Sequence, residues 1–196
     1  MQLLLIRHGE TEWSSSHRQT GLTDVGLTQV GFEQATRTAA LISHLSDELG
    51  PPATIYSSPL SRAAKTAELV FGSGAAIIEN PHIVEIDFGH FEGLTSGEIH
   101  RSRPGWSVWC EPCPGGETID DVGARADTFL TTIRDEAETI AVVSHGIFIR
   151  VLAARAVGLP ASAGGVLTID TGGIGIIADV RNATVIQKWN LTSQDR

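Results

Sequence analysis

Short apolar runs that alternate with helical patterns constrain this chain more than any other feature. Gln2 to Ile6 reads as a buried strand, Thr54 to Ser57 as a second, Ala75 to Ile78 as a third and Ile140 to Val143 as a fourth. Helical patterns stand between them. Thr28 can cap a helix whose apolar positions include Leu41, Leu45 and Leu49, spaced by four, and which stops before Gly50-Pro51-Pro52. Ser58 and Pro59 predict a further helix with proline at its first position, running to about Phe71. Thr95 to about Arg101, Ile119 to about Ala137 and Gly146 to Val157 predict three more. Strands alternating with helices predict an α/β fold, a parallel sheet covered on both faces. Ile174 to Val180 and Thr184 to Trp189, with Arg181-Asn182-Ala183 at the turn, predict a terminal hairpin that adds an antiparallel edge.

The 196 residues fit a single domain, 1–196. Within it the stretch 89–117, rich in Gly, Pro and Trp, is a candidate lid or cap. The net charge is −9, with no basic stripe, which argues against nucleic acid as a partner and against docking on an anionic membrane. An anionic ligand would therefore need a local, concentrated cationic site. The apolar run near Met1 is only four residues long and lacks the form of a signal peptide, so a cytoplasmic location is expected. A homo-oligomer is left open.

Cys110 and Cys113 are spaced as Cys-x-x-Cys. A redox or metal role would need a helix opening after a strand, or a second ligand pair. The Pro- and Gly-rich surroundings read instead as a loop with reduced thiols.

Chemistry-bearing residues follow the strands. Arg7 and His8 come after the first, Ser58 and then Arg62 after the second, and Ser144, His145 and Gly146 after the fourth. Ligands of open α/β sheets bind outside the carboxyl ends of the strands, so two arginines and two histidines are expected at one end of the sheet. Arginine presents planar paired donors that match phosphate oxygens. Helix N-termini add backbone N–H groups. A neutral imidazole can attack phosphorus, and the cations can hold the charge on the transferring oxygens without a metal or other cofactor. Taken singly, each residue also reads as an ordinary polar loop residue, and His17, His44, His82, His90 and His100 are left under that reading. Only their joint placement separates Arg7, His8, Arg62 and His145 from it.

These segments resemble the histidine phosphatase superfamily, which includes phosphoglycerate mutases. Leu5-Ile6-Arg7-His8-Gly9-Glu10-Thr11, Ser57-Ser58-Pro59-Leu60-Ser61-Arg62, Val84-Glu85-Ile86-Asp87-Phe88-Gly89 and Val142-Val143-Ser144-His145-Gly146 match its successive motifs in order. The resemblance implies a three-layer α/β/α sandwich and a phosphohistidine on His8. Arg7, Arg62 and His145 would bind the transferring phosphate, and Glu85 would protonate the leaving oxygen and then activate water. Thr20-Gly21-Leu22-Thr23-Asp24, Cys113-Pro114-x-Gly116-Glu117 and Asp170-Thr171-Gly172-Gly173 resemble the branch holding sedoheptulose-1,7-bisphosphatases and broad-range acid phosphatases.

Ser14 stands where many members have Asn, and a hydroxyl there would reach the phosphate through water. Thr20, Gly21 and Gly146 complete the implied substrate-binding set. A mutase would carry an Arg-His-Tyr-Gly stretch after the acid glutamate, whereas Glu85 is followed by Ile86-Asp87-Phe88-Gly89. The expectation is therefore a metal-independent phosphatase acting on small phosphorylated metabolites, sugar phosphates or bisphosphates among them. A mutase and a non-catalytic phosphoester-binding module are the alternatives. Arg101 and Arg103 are candidates for a second anion, with solvent-exposed charges as the plainer reading. Trp106 and Trp109 would be core or sugar-site residues.

Overall fold

The computed structural model describes residues 2–134, 136 and 138–192. The strands are β1 Gln2–Arg7, β2 Thr54–Ser57, β3 Ile77–Glu79, β4 Thr139–Ser144, β5 Ile174–Val180 and β6 Ala183–Leu191. The α-helices are α1 Glu12–Ser15, α2 Gln29–Leu49, α3 Ser61–Phe71, α4 Ser96–Ser102, α5 Ile119–Thr132 and α6 Gly146–Ala156. Among the described residues the strands form one six-stranded sheet in the order β3-β2-β4-β1-β5-β6. The first four in that order run parallel, while β5 is antiparallel to β1 and β6 to β5. The mixed sheet with an antiparallel edge hairpin is the one expected.

The apolar runs are nearly continuous because both faces of the sheet are buried. Leu3, Leu5, Ile140 and Val142 point into one cluster with Val122 and Phe129 of α5 and Phe148 of α6. Leu4, Ile6, Ala141 and Val143 point the other way, onto Leu41 and Leu45 of α2 and Ala63 and Ala67 of α3. These are the two outer layers. Truncating a fully buried strand residue such as Leu4 to Ala would cost about 2–5 kcal/mol in lost transfer energy and cavity formation.

Register sets the ends of β1, β4 and β2 side by side, with Arg7 opposite Ser144 and Ser57 opposite Val143. The ladder continues one step further. His8 N donates to Ser144 O at 2.9 Å and Ser58 N to Val143 O at 3.0 Å. His8, Ser58 and His145 thus leave the sheet from adjacent strands.

Several boundaries differ from expectation. Pro59 is not the first residue of a helix; α3 starts at Ser61, with extended Leu60 before it. The reason lies outside the segment. Asp24 Oδ1 accepts both the Ser61 N–H at 2.9 Å and the Ser61 hydroxyl at 2.8 Å, so the helix end is capped from another loop. The third strand begins at Ile77 rather than Ala75, because Ala75 N closes a turn onto Gly72 O after α3. Helix α5 ends at Thr132, and the expected end at Ala137 lies outside the described residues. Helix α1 had no signal beyond its capping box, Thr11 with Ser14.

The 89–117 stretch packs Phe91, Ile99, Trp106 and Cys113 into the core. It is tied to the 16–21 loop by Gln19 N to Leu94 O and Gly93 N to Gln19 O, at 2.8 and 2.9 Å. Among the described residues no helix is long and apolar enough to cross a membrane.

Candidate active site

His8 is buried at 4% exposure, and its Nδ1 lies 2.7 Å from the carbonyl of Gly9. A carbonyl only accepts, so Nδ1 carries the proton and Nε2 keeps its lone pair. Burial pushes the His8 pKa well below the usual histidine value, and Arg7 and then Arg62 push the same way. The ring is therefore neutral at neutral pH. The turn that makes this geometry is tight. A Cβ on Gly9 would overlap the Gly31 carbonyl of α2, and a Cβ on Gly31 would overlap Glu10. Thr66 of α3 closes the arrangement by accepting Gly9 N at 3.1 Å while donating to Arg62 O at 2.7 Å.

Arg62 is fully buried and fixed at every nitrogen. Nη1 donates to Thr23 O at 2.9 Å, Nη2 to Gly21 O at 2.7 Å, and Nε to Nδ1 of His145 at 3.2 Å. The last bond makes His145 Nδ1 an acceptor, so Nε2 must hold the proton. It donates to Ser58 Oγ at 2.8 Å. Burial, followed by Arg62, holds the His145 pKa well below its ordinary value. The His8 and His145 rings meet edge-on, with centroids 5.2 Å apart.

Arg7 donates through Nη1 to Ile169 O at 2.7 Å, while its buried Nε has no partner. The 169–173 segment also fixes its backbone, with Arg7 N donating to Gly173 O at 3.1 Å and Gly172 N to the carbonyls of Arg7 and His8. An unpaired buried donor costs about 1–3 kcal/mol, a cost that an anionic ligand would remove.

Glu85 is buried at 6% exposure and closes the N-terminus of α6. Its Oε1 accepts Ile86 N and Phe148 N, and its Oε2 accepts Ile147 N, each at 3.0 Å. The N–H groups of Ile147 and Phe148 belong to the first turn of α6, where a carboxylate is favoured, and that of Ile86 belongs to the loop of Glu85 itself. The loop carrying Glu85 is held by Arg125, which donates to the carbonyls of His82, Val84 and Glu85 and pairs with Glu117 at 2.8 Å.

A cleft of about 280 Å³ is lined by Arg7, His8, Ser14, Thr20, Glu85 and Gly146, whereas Arg62, His145 and Gly21 are not among its lining residues. It also takes in His17, Arg18, Gln19, Phe88, Ile147, Arg150 and Ile169. A broader groove of about 750 Å³ continues past Arg7, Ser14 and His17 towards Arg37 and Asp170. Ser14 reaches both, although its hydroxyl is engaged by Thr11 N at 2.9 Å and Thr11 O at 3.0 Å. Thr20 Oγ1 donates to Arg18 O at 3.0 Å. Gly21 supports the site indirectly, through its carbonyl on Arg62.

Arg101 and Arg103 do not line the cleft, and Arg103 is paired with Glu111 at 2.8 Å. Trp106 is core, whereas Trp109 stacks on Arg150. The residues that sequence reasoning missed are Arg150, Arg18, His17 and Arg125. Arg150 follows Gly146 by four on one helix, so the two share a face, and that spacing was the available signal. His17, with its backbone in the left-handed region at φ 56°, had none. Among the described residues no cluster of three or more His, Cys, Asp or Glu could hold a metal ion.

The profile of the histidine phosphatase superfamily (branch 1) matches residues 3–192. An acid phosphatase from Mycobacterium tuberculosis is 39% identical over 178 residues, covering 89% of this chain and 85% of that one. A sedoheptulose 1,7-bisphosphatase from Saccharomyces cerevisiae is 31% identical over 183 residues, covering 80% and 67%. The solved structure of an M. tuberculosis open reading frame product superposes with a TM-score of 0.91 at 36% identity, covering 98% of both chains.

Proposed function

Since the chain belongs to the histidine phosphatase superfamily, branch 1, we propose that it hydrolyses small phosphomonoesters through a phosphohistidine on Nε2 of His8, without a metal. The observation that carries this reading is the bond from His8 Nδ1 to the Gly9 carbonyl, which leaves Nε2 as a buried, unprotonated nucleophile. Arg7, Arg62 and His145 stand around it as the charge-bearing set for the equatorial oxygens.

In the first step Nε2 forms the N–P bond as the P–O bond to the alcohol breaks. The leaving oxygen takes a proton from Glu85. Oε1 of Glu85 already accepts two N–H groups and Oε2 only one, so the proton is carried on Oε2. In the second step the Glu85 carboxylate takes a proton from water, the water oxygen attacks phosphorus and the P–N bond breaks. Phosphate leaves, and both side chains return to their starting states. Hydrolysis rather than phosphoryl transfer to a second alcohol agrees with the named activities of the acid phosphatase and bisphosphatase relatives. The two free thiols, Cys110 and Cys113, suit a reducing, cytoplasmic setting.

The test is release of inorganic phosphate from nitrophenyl phosphate in the presence of a chelator, with trapping of label from a phosphorylated substrate. Activity should survive chelation, and acid-labile, base-stable label should map to His8 and vanish in His8→Ala. Loss of activity on chelation with recovery on adding a divalent ion, or label on another residue, would overturn the mechanism.

A further inference from the structure

Arg62 is fully buried, yet its hydrogen-bond partners are neutral: the carbonyls of Thr23 and Gly21 and the imidazole of His145. These bonds leave one N–H on each Nη for an oxyanion. The plane of the guanidinium is therefore set largely by the 21–23 loop, which belongs to no helix or strand. Glu92 holds that loop. Its Oε1 accepts Gly21 N at 2.9 Å and Thr23 N at 3.1 Å, and its Oε2 shares the Gly21 N–H at 3.1 Å. Gly21 and Thr23 thus turn their N–H groups to the carboxylate and their carbonyls to Arg62.

The carboxylate is itself anchored. Gly93 N donates to Gln19 O at 2.9 Å, Gln19 N to Leu94 O at 2.8 Å and Arg18 Nη1 to Gly93 O at 2.7 Å, so the backbone beside Glu92 is sewn to the start of the same loop. The fit is close. A Cβ on Gly21 would overlap both the Ile86 carbonyl and the Glu92 carboxylate. A carboxylate in direct contact with Arg62 would compete with phosphate for its donors. One held behind the loop does not. It polarises the intervening peptides, which makes their carbonyls better acceptors, and it offsets part of the cost of burying the cation. Burial lowers the Arg62 pKa, and Glu85, Asp24 and then Glu92 oppose that fall. Asp24 has a separate task, as the cap of α3 at Ser61.

We propose that Glu92 is a positioning residue for Arg62: it fixes the two carbonyls that aim the guanidinium at the transferring phosphate, and it does not touch the phosphate itself. This rests on the phosphatase reading above and deepens it. It also gives the 89–117 stretch a part in building the phosphate site, beyond covering it. Arg62 serves the equatorial oxygens and not the leaving oxygen, so loss of Glu92 weakens turnover of all esters alike, whatever the leaving group.

The experiment is a double-mutant cycle of Glu92→Ala with Arg62→Ala. It is read as kcat/KM for nitrophenyl phosphate and glycerol 3-phosphate, and as the Kd of orthovanadate by calorimetry. Glu92→Ala should lower kcat/KM about tenfold or more for both esters and weaken orthovanadate by a similar factor. The ratio between the two esters should stay within about twofold of wild type, since no proton donor is disturbed. In the Arg62→Ala background the same substitution should cost at most about a third of that factor. Glu92→Gln keeps an oxygen for the two N–H groups but drops the charge, and should cost about threefold or more. Equal losses in the two backgrounds would overturn the proposal and leave Glu92 with a structural role only, as would wild-type values in Glu92→Ala. Should either alanine variant fail to fold, Glu92→Gln and Arg62→Lys take their places on the same criterion. Absence of phosphate release from every ester in wild type would overturn the phosphatase reading, and the orthovanadate cycle would still decide on Glu92. A wild type that neither turns over nor binds orthovanadate would overturn both.

Discussion

Arg62 donates through Nε to Nδ1 of His145 across 3.2 Å, and this one bond decides which way the second histidine serves the site. With Nδ1 occupied as an acceptor, His145 presents an N–H at Nε2, which donates to Ser58 Oγ at 2.8 Å. The arginine thus acts both as a cation and as the group that sets its neighbour's tautomer.

Replacing Arg62 by Lys keeps a charge but cannot reproduce the fork. Thr23 O, Gly21 O and His145 Nδ1 cannot all be satisfied by one ammonium. We expect kcat/KM to fall by about 10²–10³-fold, on the scale of losing an oxyanion donor. The melting temperature should fall as well. Steady-state kinetics together with thermal denaturation check this, and a loss below threefold would show that a point charge suffices.

Glu85→Gln changes an acceptor pair into one acceptor and one donor. An NH₂ would face the N–H groups at the start of α6, so we expect a stability loss of about 1–2 kcal/mol, the scale of a lost helix cap. Activity should fall strongly for alkyl phosphates and less for nitrophenyl phosphate, whose leaving group departs with little protonation. Urea melts and the two substrate classes check it. Equal kinetic losses for both classes would mean that Glu85 positions the substrate without delivering a proton.

The two buried histidines also predict a stability profile. Burial lowers both folded-state pKa values below the unfolded value of about 6.5. Below that pH the unfolded chain binds protons that the folded chain refuses, so stability is full above about pH 6.5 and declines as pH falls. Each histidine contributes a slope of at most about 1.4 kcal/mol per pH unit in the window between its folded and unfolded pKa. Urea midpoints at several pH values should show the slope, and His145→Gln should make it shallower. A variant with the wild-type slope would contradict this.

Glu117→Gln should act at a distance. It weakens the pairing of Arg125, which holds the carbonyls of Val84 and Glu85 and so the loop that presents the Glu85 carboxyl. The side chains are 18% and 25% exposed, so the coupling exceeds that of a surface pair. We expect about 1 kcal/mol of coupling in a double-mutant cycle with Arg125→Ala. The kinetic loss should fall on kcat more than on KM and be larger for alkyl than for nitrophenyl esters. A uniform loss across leaving groups would mark the pair as structural only.

The order of elements, the two-faced burial of β1 and β4, and the convergence of Arg7, His8, Arg62 and His145 were legible in the sequence. They depend on local signals, apolar runs and turn residues, and on a topological rule that places strand ends together. The start of α3 was not legible, because its cap is Asp24, 37 residues away. Nor were the Glu85 carboxylate's place on the N-terminus of α6, the tautomers of His8 and His145, or the stacking of Arg150 on Trp109 at the edge of the cleft. Each of these is set by which groups meet across the fold, and a buried polar atom takes its protonation and its role from partners that only tertiary contact supplies. Arg101 and Arg103 show the converse. In sequence they were candidates for a second anion, and only packing showed that neither lines the cleft and that Arg103 is paired with Glu111.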